Sequence, residues 1–306
     1  MSIKLLLIKP RGFCAGVERA IEIVKKAIVK YGKPVYIRHE IVHNQHVVED
    51  LKKQGAIFVK ELDEIPNGSV VIFSAHGVSK QVESAAIHFK IIDATCPLVK
   101  KVHNQAKRYI SDNRELILIG HAGHPEVEGT MGRVNKPIHL IQTITDISLL
   151  PLKRDTPIAY ITQTTLSVDD TKDIIAALKN YFNDIVGPEL SDICYATQNR
   201  QMAVKNIAKL VNIMLILGSK NSSNSNRLRD VAEKEGCNAS YLINDYQDIN
   251  LDWFGQGDTI GITAGASAPE NLVVDVVQFL KDTLDISSIE EIGMAENVKF
   301  SIPKGL

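Results

Sequence analysis

The stretch Gly120-His-Ala-Gly-His-Pro-Glu-Val-Glu-Gly129 places two histidines and two carboxylates within eight residues and frames them with glycines. A carboxylic acid can deliver a proton, histidines can meet an anion, and glycine lets the backbone pass close to a ligand. Thr162-Gln-Thr-Thr-Leu-Ser167 adds hydroxyls that would cap a helix or, with Glu126, form a proton relay. Gly218-Ser-Lys-Asn-Ser-Ser-Asn-Ser225 offers hydroxyls, amides and backbone N–H groups at an expected helix start. That is the chemistry of an anion site, although a capped loop has the same composition. It lacks the Gly-x-x-x-x-Gly-Lys-Ser/Thr pattern of a nucleotide P-loop. Further loops at His43, His76, His124 and Ser267 would add neutral donors suited to a phosphate or diphosphate.

Four cysteines complete the reactive inventory: Cys14, Cys96, Cys194 and Cys237. The first three each sit just before an expected helix, whose N-terminal partial charge favours a metal-binding thiolate. Cys237, in Glu235-Gly-Cys-Asn238, breaks the pattern and reads as structural or exposed. Three thiolates suit zinc with an open position, or a four-iron cluster whose fourth iron has no protein ligand and can take substrate.

These groups need elements to position them, and the elements recur. Short apolar runs at 5–8, 35–37, 56–59, 70–73, 91–93, 116–119, 138–141, 158–161, 213–217, 241–243 and 259–262 read as strands, separated by helical patterns such as 17–29 and 97–110. Cys14 and Cys96 are 82 residues apart, and Cys96 and Cys194 are 98 apart. A polar loop begins 25 residues after each, at His39, His121 and Ser219, and a second follows at Ser74, Thr162 and Thr263. The period is too long for a solenoid. It predicts an α/β chain of three similar strand–helix lobes, 1–96, 97–193 and 194–306, in a pseudo-threefold arrangement on whose axis the cysteines converge.

Composition narrows the function classes. A net charge of −1 leaves no global field for nucleic acid or an anionic membrane, so any anion must be met locally. No apolar run approaches the ~20 residues of a membrane span, and the N-terminal run is too short for a signal peptide. A cytoplasmic protein is therefore expected, and four cysteines far apart in a large chain argue, in a reducing compartment, against a disulfide framework.

The motifs together resemble one family. Pro10-Arg-Gly-Phe-Cys-Ala-Gly16, Arg38-His-Glu-Ile-Val-His-Asn44, Ser74-Ala-His-Gly77, Asp93-Ala-Thr-Cys-Pro97, the 120–129, 162–167 and 218–225 stretches and Thr263-Ala-Gly-Ala-Ser-Ala-Pro269 are similar to those of the 4-hydroxy-3-methylbut-2-enyl diphosphate reductases, in order, from about Leu5 to about Glu296. Only the tail after Glu296 is uninformative. The resemblance implies a trefoil-like α/β fold around one central [4Fe-4S] cluster per chain, held by Cys14, Cys96 and Cys194. It implies an oxidoreductase at the last step of the methylerythritol phosphate route to isoprenoids, with Glu126 and Thr164, aided by His124, arranging proton delivery. His43, His76, His124, Thr164, Ser222, Ser223, Asn224 and Ser267 would bind the allylic diphosphate substrate. No Gly-x-Gly-x-x-Gly is present for a nicotinamide, so the implied donor is a protein, ferredoxin or flavodoxin with its NADPH reductase. A monomer without nucleic-acid or membrane partners is expected. Two rivals stay open: a zinc hydrolase using the same thiolates with Glu126 as base, and a non-enzymatic iron–sulfur sensor, which lacks the basic stretch that nucleic acid would require.

Overall fold

The computed structural model describes residues 2–188 and 192–306; Ser191, on the expected approach to Cys194, lies outside them. In chain order the elements are β1 (Ile3–Lys9), α1 (Ala15–Tyr31), β2 (Val35–Arg38), α2 (Gln45–Gln54), β3 (Ala56–Val59), β4 (Val70–Phe73), α3 (Lys80–Ala85), β5 (Lys90–Asp93), α4 (Pro97–Ser111), β6 (Glu115–Ile119), α5 (Pro125–Met131), β7 (Ile138–Ile141), β8 (Ile158–Thr162), α6 (Val168–Tyr181), β9 (Ile185–Val186), α7 (Tyr195–Ile207), β10 (Ile213–Leu217), α8 (Ser223–Lys234), β11 (Ala239–Ile243), β12 (Thr259–Ala264), α9 (Glu270–Thr283) and β13 (Ile286–Gly293). The chain divides into two compact units, one of Met1–Val17, His43–Val47 and Tyr195–Lys299, the other of Glu18–Val42, Val48–Cys194 and Phe300–Leu306.

The first unit holds a five-stranded parallel sheet, ordered β11-β10-β12-β1-β13. Its inner strands β10, β12 and β1 are mostly apolar because both faces of the sheet are covered there. In β10, Ile213, Leu215 and Leu217 pack with Leu272, Val276 and Leu280 of α9. Met214 and Ile216 turn the other way, onto Val204 and Ile207 of α7 and Leu228 and Val231 of α8. Because β10, β12 and β1 are parallel neighbours, the loops leaving them, at 218–222, 265–269 and 10–14, emerge at one edge of the sheet. That edge is where open α/β sheets place their ligands.

Sheet membership departs from the expected boundaries. The apolar run 5–8 is expected in the 1–96 lobe, yet β1, which contains it, pairs with β12 and β13 in the sheet of the 195–299 stretch. Leu5 faces one core cluster, and Leu6 and Ile8 the other. Such a run needs a place inside a sheet, and periodicity cannot say which sheet. Strand β13 has no counterpart in the sequence reading. As an edge strand carrying Glu290 and Glu291 it is half exposed and has no apolar run to reveal it.

The second unit contains two four-stranded parallel sheets, β3-β2-β4-β5 and β7-β6-β8-β9. Strand β6 is again buried on both faces, with Ile117 and Ile119 against Ile174 and Leu178 of α6, and Leu116 and Leu118 against Val102, Ala106 and Tyr109 of α4. The pairing Ile119↔Thr162 ends β6 and β8 together, so the polar stretches beginning at Gly120 and Gln163 leave the sheet side by side. Among the described residues no helix is long and apolar enough to cross a membrane.

Candidate active-site loops

In the second unit, the chain leaves β6 through Gly120. A Cβ there would lie 2.7 Å from Val127 Cγ2 and 3.3 Å from Gln163 Oε1, so the missing side chain lets the loop fold back on itself. Pro125 opens α5, where its absent N–H costs nothing. His124 is the N-cap, and its Nδ1 accepts the Glu126 N–H at 3.2 Å. The helix turns its two carboxylates oppositely: Glu128 is exposed, whereas Glu126 is only 3 % exposed. Glu126 Oε1 accepts the Thr164 N–H at 2.7 Å, and Oε2 accepts the Thr164 hydroxyl at 2.9 Å. Burial outweighs these bonds and, with a smaller push from the Asp192 charge, raises the carboxyl from 4.5 to about 7. A group at that value is partly protonated near neutrality, as a general acid should be.

His76 stands edge-on to His124, with ring centroids 5.8 Å apart, and Ser74 Oγ lies 3.4 Å from His76 Nδ1. The unit therefore brings together four expected site residues, His76, His124, Glu126 and Thr164. Gly77 closes the β4 loop at φ +80°, and a Cβ there would meet His103 Cε1 at 2.7 Å, so only glycine fits.

In the first unit, Ser222 caps α8 by accepting the Ser225 N–H at 3.3 Å. The same oxygen accepts the Ser225 hydroxyl at 3.0 Å, which leaves the Ser222 hydrogen to donate elsewhere. Asn224 Oδ1 accepts the Ala266 N–H at 2.9 Å and Nδ2 donates to Thr197 Oγ1 at 3.3 Å, so the amide orientation is set from both ends. Ser267 Oγ donates to the His43 carbonyl at 2.9 Å. These bonds tie the expected residues His43, Ser222, Asn224 and Ser267 to one sheet edge, and Ser223 begins α8 beside them.

Cys14, Cys96 and Cys194 each immediately precede a helix, α1, α4 and α7, and none is in a disulfide. Each donates its backbone N–H to the carbonyl of a second polar loop: Cys14 to Ala266 at 3.1 Å, Cys96 to Ala75 at 3.0 Å and Cys194 to Thr164 at 3.0 Å. The repeat read from spacing thus recurs as one hydrogen bond made three times. Burial pushes the Cys14 thiol up, opposed by the N–H groups of Val17 and Gly16 and by the Arg200 guanidinium. Cys237 is buried, and its Sγ lies 3.1 Å from the Ala239 carbonyl, the structural alternative of the two expected. Among the described residues no three histidine, cysteine or carboxylate side chains form a group that could hold a metal ion.

Three residues beside these loops carry no motif. Asp192 is 5 % exposed, sits 3.4 Å from Lys101 Nζ and has its carboxyl raised by burial. Thr197 and Arg200 are buried on α7. The polar run Thr197-Gln-Asn-Arg-Gln201 was the available signal, since a helix packed on a sheet should not place polar residues at consecutive turns of its buried face.

The profile of the LytB protein family matches residues 5–281. A 4-hydroxy-3-methylbut-2-enyl diphosphate reductase from Bradyrhizobium diazoefficiens is 56 % identical over 306 residues, covering 99 % of each chain. One from Zymomonas mobilis is 54 % identical, covering 99 % of this chain and 90 % of its own. Among solved structures, the E-1-hydroxy-2-methyl-but-2-enyl-4-diphosphate reductase of Plasmodium falciparum superposes with a TM-score of 0.95 at 36 % identity, covering 99 % of this chain and 96 % of its own. With nearly its whole length matched by these enzymes in sequence and in fold, the chain belongs to the LytB protein family, that of the 4-hydroxy-3-methylbut-2-enyl diphosphate reductases.

Proposed function

We propose that the protein removes the allylic hydroxyl of (E)-4-hydroxy-3-methylbut-2-enyl diphosphate reductively, giving isopentenyl and dimethylallyl diphosphates and water, in the cytoplasm. The C–O bond breaks, the hydroxyl takes one proton to leave as water, and two electrons with a second proton complete the carbon product. The observation that carries this reading is the buried Glu126–Thr164 pair, a carboxyl held near a pKa of about 7.

The cysteines suit a [4Fe-4S] cluster. Cys14, Cys96 and Cys194 are in no disulfide, are partly accessible, and each stands at a helix start, whose dipole favours the thiolate. In such a cluster each thiolate binds a different iron, so the three need not meet at a single ion. The cluster would relay the donor's two electrons one at a time and offer a Lewis-acidic iron to the substrate oxygen. Glu126 then holds the proton for the departing hydroxyl, and Thr164, donating from both N–H and Oγ1, keeps both carboxyl oxygens in place. Ser222 offers its free hydroxyl hydrogen to the diphosphate, and Ser223, Asn224, His43, His76 and His124 add donors. Ser267 must first release its bond to the His43 carbonyl. Reduced ferredoxin or flavodoxin fits as the electron source.

Anaerobic reconstitution with iron and sulfide analysis tests the reading, followed by turnover with reduced methyl viologen. Cys14→Ser, Cys96→Ser and Cys194→Ser should each deplete the cluster, and Cys237→Ser should not. Stoichiometric zinc with activity that survives air would sink the proposal in favour of a hydrolase.

A further inference from the structure

The tail after β13 carries no motif, yet it delivers a carboxylate to a buried arginine. Glu296 Oε2 accepts from Arg200 Nη1 at 2.9 Å and its Oε1 from Asn199 Nδ2 at 2.9 Å. The Glu296 side chain is 14 % exposed and that of Arg200 only 1 %. Arg200 is the largest fully buried side chain among the described residues. Its remaining bonds go to backbone carbonyls, Nη1 to Ala196 at 3.0 Å and Nη2 to Gly12 at 2.8 Å. Gly12 lies at φ +72° in the loop that ends at Cys14, and it gives its own N–H to the Ala264 carbonyl. Arg200 therefore grips the carbonyl side of a loop whose N–H groups are held by the end of β12 and the loop after it.

Burying a guanidinium is costly unless it is paired, and an apolar side chain of similar volume would pack the same space without that cost. The charge therefore calls for a use. Arg200 bonds the carbonyl of Gly12, two residues before Cys14, and Glu296 bonds Arg200, so two opposite charges and their fields stand at the loop that ends at this thiol. In a low-dielectric interior such fields reach a neighbouring redox centre with little screening. We propose that Arg200 and Glu296 form an opposed charge pair that holds the Cys14 loop and sets the reduction potential of the cluster bound through Cys14. The inference rests on the reading of Cys14 as a cluster ligand.

Opposed charges make opposite predictions, which a purely structural role does not. In the anaerobically reconstituted full chain, spectroelectrochemical titration of Glu296→Gln should give a more positive midpoint potential than the parent, because the Arg200 charge is no longer offset. Arg200→Met should give a more negative one. Arg200→Lys should keep the parent potential, yet speed amide hydrogen exchange at Gly12 and Cys14, because an ammonium cannot span the Ala196 and Gly12 carbonyls as the planar fork does. Shifts of the same sign in Glu296→Gln and Arg200→Met, or no shift in either, would overturn the proposal. If Arg200→Met does not fold, Glu296→Gln and Arg200→Lys decide, and a Glu296→Gln potential at or below the parent value overturns it. A parent protein without iron and sulfide would overturn the cluster reading and the potential-setting role with it. Hydrogen exchange then still decides the loop-holding role, which unchanged rates in Arg200→Lys would refute.

Discussion

The loops after β6 and β10 are built on the same plan and end in different chemistry. Each follows a strand buried on both faces, passes through a glycine, Gly120 or Gly218, and caps a helix with a polar side chain, His124 or Ser222. At the second helical position one loop has Glu126 and the other Asn224. Both are buried, and both accept a backbone N–H from the loop after a neighbouring strand, Glu126 from Thr164 and Asn224 from Ala266. A titratable group in that position becomes a proton store because burial raises its pKa. A neutral amide there becomes a fixed dipole that orders a bed of hydroxyls. In the proposed function one framework thus serves proton delivery and anion binding by a single change of residue type.

The sharpest way to break this comparison is Glu126→Gln, which makes the first loop resemble the second. It keeps the shape and most hydrogen bonds but removes the acid, so turnover with reduced methyl viologen should fall by ~10²–10⁴, or roughly 3–5 kcal/mol of barrier. Substrate affinity and cluster content should stay near the parent values. Turnover within a few-fold of the parent would move the proton source elsewhere.

A second difference should appear in stability against pH. The Glu126 carboxyl is raised from 4.5 to about 7 in the folded protein, so the folded state binds more protons than the unfolded chain between these values. Its contribution is fully present below about pH 4.5 and is lost as pH rises through about 7, by about 3 kcal/mol at most. Urea unfolding of parent and Glu126→Gln across this window should show the parent losing stability more steeply than the variant as pH rises. No equivalent slope should arise from Asn224, and Asn224→Ala should leave the parent slope intact.

The glycines sharpen the comparison further. A Cβ on Gly218 would run into Ser225 Oγ and Cβ, close to the α8 backbone, whereas one on Gly120 meets the end of the Val127 side chain. Gly218→Ala should therefore lower stability by about 1–3 kcal/mol, and Gly120→Ala by less, as read from urea midpoints. The smallest effect belongs to the cap. Ser222→Ala removes the acceptor for the Ser225 N–H, costs about 1 kcal/mol of stability and should raise KM more than it lowers kcat if, as proposed, the serine binds substrate without joining the proton transfer.

What the sequence by itself determined is local. Apolar runs such as Ile213-Met-Leu-Ile-Leu217 announce strands covered on both faces, because no polar alternation survives when neither face meets water. The cysteine spacing announced a repeat, and the structure bears it out as three Cys N–H bonds to Ala266, Ala75 and Thr164. The motif loops pointed to Glu126, because glycine, histidine and acid in one turn have little to do with packing. Tertiary structure alone decided the rest. It placed β1 beside β12, because a strand's own pattern says that it must be buried but not between which neighbours. It buried Glu126 and left Glu128 exposed, since two carboxylates two residues apart look alike until a helix turns one inward and burial lifts its pKa. It also brought Arg200 and Glu296 together across 96 residues. Neither stands in a motif, and only the folded chain shows that a charge buried at one is met by its opposite at the other.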